Sequence, residues 1–304
     1  MYKVSYSPIV IFVYRRLHHT RLTIESLLQC EESIHSELYI FSDAPKSRKD
    51  DDDVIKVRNY IKTIRGFKRI FIIYRESNFG LAKNIILGLN GIFKEHEKAI
   101  ILEDDIVVSR YFLKFMNAAL DLYRKESKIW HVSGWNYPMN YSNYHQNSYF
   151  LQLPNCWGWA TWADRWRFFE KDPSYIIDLW SNDMKYRFTI QGANYNFWQQ
   201  VVYNKKNKIN TWAIFWYATI FQNNGLCLNP VKTLTQNIGN DGTGENCGDI
   251  DFYTSVLNED YNISFPKFIE LNVAFHRLIY DFYVNNRISI FQRLRKRLVN
   301  LLNK

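Results

Sequence analysis

The chain has 304 residues, of which 47% are hydrophobic and 23% are charged. This balance is typical of a folded globular protein and excludes a disordered chain, and the length allows one large domain or two small ones. The net charge of +9 is concentrated at one end, because residues 287–304 hold six basic side chains and no acidic one. We therefore expect no nucleic-acid-binding surface on the main body.

Apolar, β-branched runs alternate with helical patterns over the first 135 residues. The runs predict strands at 8–14, 37–42, 69–74, 99–102 and 129–134. The apolar positions between them have helical spacing and predict helices at 20–29, 51–64, 79–93 and 109–123. Strands that alternate with helices in this way predict an α/β fold with a mostly parallel, Rossmann-like central sheet flanked by helices.

The pattern changes after Trp135, where Trp, Tyr and Asn become frequent and the periodicity is less regular. We therefore divide the chain into residues 1–135, a mixed α+β half at 136–275 built on the same sheet, and a tail at 276–304. The apolar residues of the tail fall on one helical stripe between basic residues, which predicts an amphipathic helix. Residues 287–304 would lie on an anionic membrane surface or pack on the domain with their charges in solvent.

The segment AIILEDDIVV carries the strongest chemical signal. A buried strand runs directly into Glu103, Asp104 and Asp105, and ligands of open α/β sheets bind beyond the carboxyl ends of the strands. Three adjacent carboxylates repel one another unless a cation lies between them. Oxygen ligands suit Mg²⁺ or Mn²⁺, and the alternative is a solvated acidic turn.

Two further polar positions follow predicted strands. Asp43 comes directly after the second strand, where its carboxylate would accept a hydrogen bond from a base or a ribose hydroxyl, or else only shape the turn before Pro45. Arg15 and Arg16 follow the first strand. Either would meet a pyrophosphate or a base, and the alternative is an ordinary surface charge.

Several segments in their order along the chain resemble GT-A glycosyltransferases, in particular the N-acetylglucosaminyltransferase I-like group and bacterial sugar transferases of surface-glycan synthesis. The resemblance spans about residues 8–250. It is carried by PIVIFVYRRLHHTRLTIESL, YIFSDAPK, RESNFGLAKNIILGL, AIILEDDIVVSRYF, LPNCWGWATWADRW and NIGNDGTGENCG. It implies that residues 1–135 bind a nucleotide sugar and residues 136–275 bind the acceptor.

The resemblance also implies roles for single residues. Asp105 would bind Mn²⁺ or Mg²⁺ directly, and Glu103 and Asp104 would face the donor sugar and the ribose. Asp43 would read the uracil base, with Arg16 as its basic partner. The remaining expected contacts to the donor are Asn78, Gly80, Lys83 and Trp157, with Trp157 on the floor where donor and acceptor meet.

The catalytic base is less well defined. Bacterial relatives usually carry an Asp where this chain has Asn210, and an amide cannot act as a general base. The loop at 239–248 contains four glycines and resembles a lid over the donor. The candidates for the base are Glu245 and Asp241 of this loop.

We expect from this resemblance a metal-dependent, inverting glycosyltransferase that uses a UDP-sugar and a glycan or lipid-linked glycan acceptor. Bacterial surface polysaccharide synthesis would be its setting, in the cytoplasm or at the inner face of the cell membrane. The runner-up is a non-catalytic nucleotide-sugar or glycan-binding module. A nucleotidyltransferase is disfavoured because it would normally have a glycine-rich phosphate loop after the first strand, and the segment YRRLHHTR at that place has no glycine.

The spacing of the four cysteines predicts reduced thiols.

Overall fold

The computed structural model describes residues 6–141, 144–241, 253, 256–260 and 263–286. Within these residues, ten strands are formed by Ile9–Val13 (β1), Glu37–Ser42 (β2), Arg69–Tyr74 (β3), Lys98–Glu103 (β4), Ile106–Val108 (β5), Ile129–Ser133 (β6), Ser148–Leu151 (β7), Trp159–Trp162 (β8), Leu226–Pro230 (β9) and Thr235–Asn237 (β10). Ten α-helices are formed by Leu17–Leu28 (α1), Asp51–Ile61 (α2), Gly80–Glu95 (α3), Phe112–Leu122 (α4), Ala163–Trp166 (α5), Pro173–Leu179 (α6), Asn182–Phe188 (α7), Asn196–Lys205 (α8), Ala213–Gln222 (α9) and Val273–Asn285 (α10). All strands and helices predicted for the first 135 residues are present.

Eight strands form one central sheet in the order β3-β2-β1-β4-β8-β6-β9-β7. Strands β1 to β4 pair in parallel, and so do β6 and β9. Strand β8 runs antiparallel to both β4 and β6, and β7 runs antiparallel to β9. The sheet is therefore mostly parallel, as predicted. A separate two-stranded ribbon pairs β5 with β10.

Strand β1 shows why helices cover both faces of the sheet. All five of its residues are buried, and successive side chains of a strand point to opposite faces. Ile9 and Ile11 belong to the core beneath α1, α2 and α4, whereas Val10 and Phe12 belong to the core beneath α3 and α9. A continuous apolar run is what a parallel strand with two covered faces requires.

The second half of the chain adds β7, β8 and β9 to the same sheet and carries α5 to α9, and α10 continues from it into the segment predicted as the tail. The largest side chains of its core that are less than 2% exposed are the aromatic residues Trp135, Tyr149, Phe188, Phe215 and Phe275. This arrangement confirms the predicted mixed α+β half. The predicted basic helix at 287–304 lies outside the described residues, and the division of the chain at residues 135 and 275 stays a prediction.

Two expectations about the whole chain concern membranes and thiols. In the part of the chain that the structure describes, no helix is both long and apolar enough to cross a membrane. Cys30, Cys156 and Cys227 are free thiols in that part, as predicted, and Cys247 lies outside it.

Candidate active site

The candidate site lies beyond the carboxyl ends of β1 and β4, which are neighbours in the sheet. Glu103 is the last residue of β4 and lies opposite Phe12 of β1. Asp104 and Asp105 form the turn that follows, before β5 begins at Ile106. The chain leaving β1 reaches Arg16 within three residues of the strand's end. The pairing of the two strands therefore brings Arg16 beside the acidic triplet.

Arg16 spans the two aspartates. Its Nη2 atom donates to Asp105 Oδ2 at 2.8 Å and also to Asp104 Oδ1. Both carboxylates are buried, and the Arg16 side chain is only 17% exposed. Burial disfavours the charge of Arg16, yet the two aspartates raise its pKa above the ordinary value. The structure thus places Arg16 on the predicted metal-binding carboxylates, and its expected contact with the base stays a prediction.

Two polar atoms of this cluster have no hydrogen-bond partner among the described residues. They are Asp105 Oδ1 and Arg16 Nη1, and both are buried. A buried polar atom without a partner costs free energy, and such atoms are uncommon in folded proteins. One acceptor and one donor are therefore available to a ligand at this point.

The pKa values of Glu103 and Asp104 are raised, so their charged forms are poorly stabilised. Burial raises the pKa of Glu103 to about 8, and the charges of Asp105 and Asp104 add to this effect. Burial also raises the pKa of Asp104, although Arg16 acts in the opposite direction. A raised carboxyl pKa means that the charged form is poorly stabilised. The cluster therefore favours an additional cation.

The backbone around the two aspartates is held from both sides. Thr23 of α1 donates through Oγ1 to the Asp104 carbonyl at 2.8 Å, and the Ile238 amide donates to the Asp105 carbonyl at 2.9 Å. Next to it, Gly239 approaches so closely that an added Cβ would lie 2.2 Å from Asp105 Oδ2 and 2.9 Å from Arg16 Nη1. Only glycine fits at this position without displacing the charged groups.

Asp241, one of the two candidates for the catalytic base, lies at the rim of this cluster. Its Oδ2 atom is 3.1 Å from Nε2 of His19, a buried residue in the first turn of α1. His19 is a member of the site that was not predicted from the sequence. Its only signal was its place in the segment that follows the first strand. Glu245, the other candidate, lies outside the described residues.

Asp43, the residue predicted to contact the base, is hydrogen-bonded to backbone amides. Its carboxylate accepts hydrogen bonds from the amides of Ala44, Phe79 and Gly80, each at 2.9 Å. Asn78 Nδ2 donates to the Ala44 carbonyl at 2.7 Å. The segments after β2 and before α3 are thereby tied together, and Asp43 itself is buried.

The predicted donor-pocket residues of the second segment lie at the start of α3. Gly80 has a φ of +70°, a backbone conformation that glycine adopts without strain. Lys83 lies with Nζ 4.4 Å from the centre of the Phe79 ring. The structure thus brings Asp43, Asn78 and Gly80 together, with Lys83 one turn along the helix.

Arg58 and Arg75, which were not predicted from the sequence, also lie near Asp43 and Phe79. Arg58 donates to the carbonyls of Asp43 and Arg75, at 3.2 and 3.0 Å. Arg75 lies 5.0 Å from the ring centres of both Phe41 and Phe79, and burial lowers its pKa. Its Nη2 atom is buried without a partner among the described residues. A sequence pattern does not separate such arginines from surface charges.

The predicted floor residue Trp157 lies just before β8. Its neighbour in β8, Trp159, pairs with Ile101 of β4 and Ser133 of β6, so Trp157 is close to the same edge of the sheet. Its ring packs edge to face on Trp135 with centroids 4.9 Å apart. Nearby, His131 Nε2 lies 3.0 Å from the carbonyl of Asn155, two residues before Trp157 in the chain.

Asn210, which stands where relatives usually carry an Asp, precedes α9. Its Oδ1 atom accepts a hydrogen bond from Lys171 Nζ. The structure thus gives this amide a lysine partner.

The described residues contain no group of three or more His, Cys, Asp or Glu side chains that could hold a metal ion by themselves. Protein-bound Mg²⁺ commonly has one or two carboxylate ligands and completes its shell with substrate phosphates and water. Asp105, with one unpartnered oxygen, and the adjacent Asp104 fit this type of site.

Comparison with known proteins bears on these observations. Residues 3–195 match the sequence profile of the GNT-I family. Among solved structures, the mannosyltransferase PcManGT from Pyrobaculum calidifontis, in complex with GDP-Man and Mn²⁺, is 12% identical with a TM-score of 0.42, over 72% of this chain and 71% of that one. A candidate nucleotide-diphospho-sugar transferase from Desulfovibrio desulfuricans G20 is 13% identical with a TM-score of 0.33, over 53% of this chain and 65% of that one. No curated protein matches the chain.

Proposed function

The chain belongs to the GNT-I family of glycosyltransferases and has a GT-A fold, and we propose that it is a metal-dependent enzyme. It would transfer a sugar from a nucleoside-diphosphate donor, with a UDP-sugar favoured, to a hydroxyl group of a glycan acceptor. The observation that carries this proposal is the buried Asp105 oxygen without a partner, at the carboxyl end of β4.

The metal proposal depends on whether these residues suit Mn²⁺ or Mg²⁺. Asp105 offers a carboxylate oxygen without a partner among the described residues, Asp104 lies beside it, and Glu103 is the third carboxyl group of the triplet. A hard divalent cation prefers such oxygen ligands. When bound, it would neutralise the donor diphosphate and stabilise charge on the leaving phosphate oxygen.

The other residues of the chain would position the donor. Asp43 holds the starts of the segments at 43–44 and 78–80 through three backbone amides, so the pocket that these segments line is organised before the donor arrives. One lone-pair direction of its Oδ2 remains for a base N–H, because a carboxylate accepts about four hydrogen bonds. We assign the uracil-facing role to Asp43 on this ground.

Transfer with inversion needs a base that removes the proton of the acceptor hydroxyl. Asp241 is our candidate among the described residues, because it lies at the rim of the charged cluster and contacts His19. A base of this type contributes about 10²–10⁴-fold to the rate. Glu245 remains the second candidate.

The acceptor half supports a sugar-binding floor. Trp157 packs against Trp135 and Tyr253, with ring centroids 4.9 and 5.7 Å apart, and it is only partly buried. Amphipathic aromatic rings combine an apolar face with a polar edge, which suits the C–H face of a hexose. Whether a hexosyl or an N-acetylhexosaminyl group is transferred depends on contacts in this area.

We place the reaction in the synthesis of bacterial surface polysaccharide, with a lipid-linked glycan as acceptor. The basic residues at 287–304 support this choice, because a cluster of basic side chains favours an anionic membrane surface. The enzyme would then work at the inner face of the cell membrane.

A panel of nucleotide sugars tests the proposal. We expect a UDP-sugar to raise the unfolding temperature only when Mn²⁺ or Mg²⁺ is present, and to give release of UDP in the presence of an acceptor. Donor binding by titration calorimetry without hydrolysis or transfer to any acceptor would instead support a non-catalytic binding module. Asn210 is the observation that keeps this second function open.

A further inference from the structure

Arg16 contacts the same two carboxylates that would hold the proposed metal ion. Its Nη2 atom lies 2.8 Å from Asp105 Oδ2 and also contacts Asp104 Oδ1. These oxygens belong to the two carboxylates that would hold the metal ion, next to the unpartnered Asp105 Oδ1. A guanidinium against these carboxylates disfavours a divalent cation beside it, because the two positive charges repel each other at short distance.

The surroundings hold Arg16 on the carboxylates. Its side chain is 17% exposed and the two aspartate side chains 6%, and Gly239 covers them so closely that a Cβ would lie 2.9 Å from Arg16 Nη1. Two buried carboxylates without a cation would be strongly destabilising. Arg16 therefore supplies the positive charge that lets this edge fold without a metal.

The unpartnered Nη1 atom of Arg16 indicates which ligand this side chain would bind after it leaves the two carboxylates. Nη1 is buried and has no hydrogen-bond partner among the described residues. A guanidinium is suited to phosphate oxygens, which it binds through two parallel N–H groups. The pyrophosphate of a donor at the end of β4 would offer such oxygens.

We propose that Arg16 is an internal counter-cation that occupies Asp104 and Asp105 in the absence of donor and releases them to the metal when a nucleoside diphosphate binds. This inference rests on the proposed function, because it requires the metal site at Asp105. Its consequence is coupling: the metal binds weakly alone and tightly with the nucleotide. If Arg16 covers the carboxylates in about nine of ten molecules, it weakens binding of the metal alone about tenfold.

A purely structural ion pair gives a different expectation. Loss of a purely structural ion pair would lower stability. It would leave the affinity of the carboxylates for the metal unchanged, with or without nucleotide. Loss of a competing cation lowers the stability of the metal-free protein and strengthens its binding of the metal alone. The affinity for Mn²⁺ without nucleotide is thus the measurement that separates the two roles.

The experiment uses the full chain and follows free Mn²⁺ by electron paramagnetic resonance, with and without UDP. The proteins are the wild type, Arg16→Gln and Arg15→Gln. Arg15 is the matched control because it loses the same charge from the next residue, and its side chain, 42% exposed, pairs with Asp50 at the start of α2. We expect Arg16→Gln to bind Mn²⁺ alone about tenfold more tightly than the wild type, with a smaller gain from UDP, and Arg15→Gln to behave as the wild type.

The outcomes separate this inference from the proposed function. If the wild type binds Mn²⁺ with UDP but Arg16→Gln binds Mn²⁺ alone no more tightly than the wild type, the coupling role is wrong and the metal site stands. If no protein binds Mn²⁺ even with UDP, both are wrong. Should Arg16→Gln not fold, Arg16→Met takes its place, because methionine keeps an unbranched apolar side chain and removes the charge. Arg16→Met must then bind Mn²⁺ alone more tightly than the wild type, and equal binding overturns the inference.

Discussion

Two acidic sites at the ends of neighbouring strands are stabilised in different ways. At the end of β2, the Asp43 carboxylate accepts three backbone hydrogen bonds of equal length. At the end of β4, Asp104 and Asp105 are stabilised by the Arg16 side chain, and one Asp105 oxygen has no partner among the described residues. Backbone amides are fixed by the fold, whereas a side chain can move away. The first site is therefore part of the framework, and the second can exchange its cation.

The largest effect is expected from loss of the exchangeable site. Asp105→Ala should lower metal-dependent transfer by at least about 10²-fold, because it removes a group that supports charge stabilisation in the transition state. Steady-state rates at saturating Mn²⁺ measure this loss. Asp53→Ala, which removes an exposed carboxylate of α2, is the control. Full activity of the Asp105 variant with tight donor binding would refute the metal assignment.

At the first site, loss of the Asp43 carboxylate should lower the stability of the fold. Asp43→Asn replaces an acceptor oxygen by an NH₂ group that faces backbone donors, so we expect the free energy of unfolding to fall by about 2 kcal/mol. Urea titration followed by circular dichroism measures it. Asp52→Asn, at an exposed position of α2, should cost well under half as much. An unchanged midpoint for Asp43→Asn would show that the three amides do not depend on the charge.

Crowding the exchangeable site is expected to have a smaller effect. Gly239→Ala puts a methyl group against Asp105 Oδ2 and Arg16 Nη1, so it should weaken binding of Mn²⁺ with UDP about tenfold, or about 1.4 kcal/mol. Titration calorimetry gives this value. The control is Gly91→Ala in α3, where an added Cβ meets nothing within 4 Å. Equal affinity of the two variants would mean that the approach at Gly239 is not tight in solution.

The smallest effect is expected at His131, a buried side chain that is uncharged, in contrast to the two acidic sites. Burial lowers its pKa to about 3. Below the ordinary value near 6.5 the unfolded chain takes up a proton that the folded protein does not, so stability is lost as the pH falls. We expect a contribution of about 1 kcal/mol between pH 6.5 and 5.5. It should be absent from the unfolding curves of His131→Gln and retained in His145→Gln, which alters an exposed histidine.

The regular part of the fold follows from sequence, and the contacts within the site do not. Each strand of the first half is a separate apolar run, so its existence is a local property. That Arg16 reaches Asp104 and Asp105 depends instead on β1 pairing with β4, across more than 80 residues. The contact between His19 and Asp241 joins residues still farther apart. Residue type and position after a strand indicated the members of the site, but not their partners.

The acceptor half was predicted only in outline, for a reason that α9 illustrates. Eight consecutive residues of this helix, Ile214 to Phe221, are buried. A helix covered on all sides has no polar face, so its sequence shows no period of 3.6 residues. Apolar residues in α6 to α8 are interrupted by exposed tyrosines such as Tyr175, Tyr186 and Tyr203, which blurs the pattern further.

The two-stranded ribbon of β5 and β10 has a consequence for how the protein is made. It joins Val108 to Thr235, residues more than a hundred positions apart, and such distant pairings form late because a long loop must close first. The ribbon carries Ile238 and Gly239 onto Asp105. A chain emerging from the ribosome therefore completes its β1–β4 layer well before the acidic turn is covered, because the turn is covered only after residues 235–239 have been synthesised.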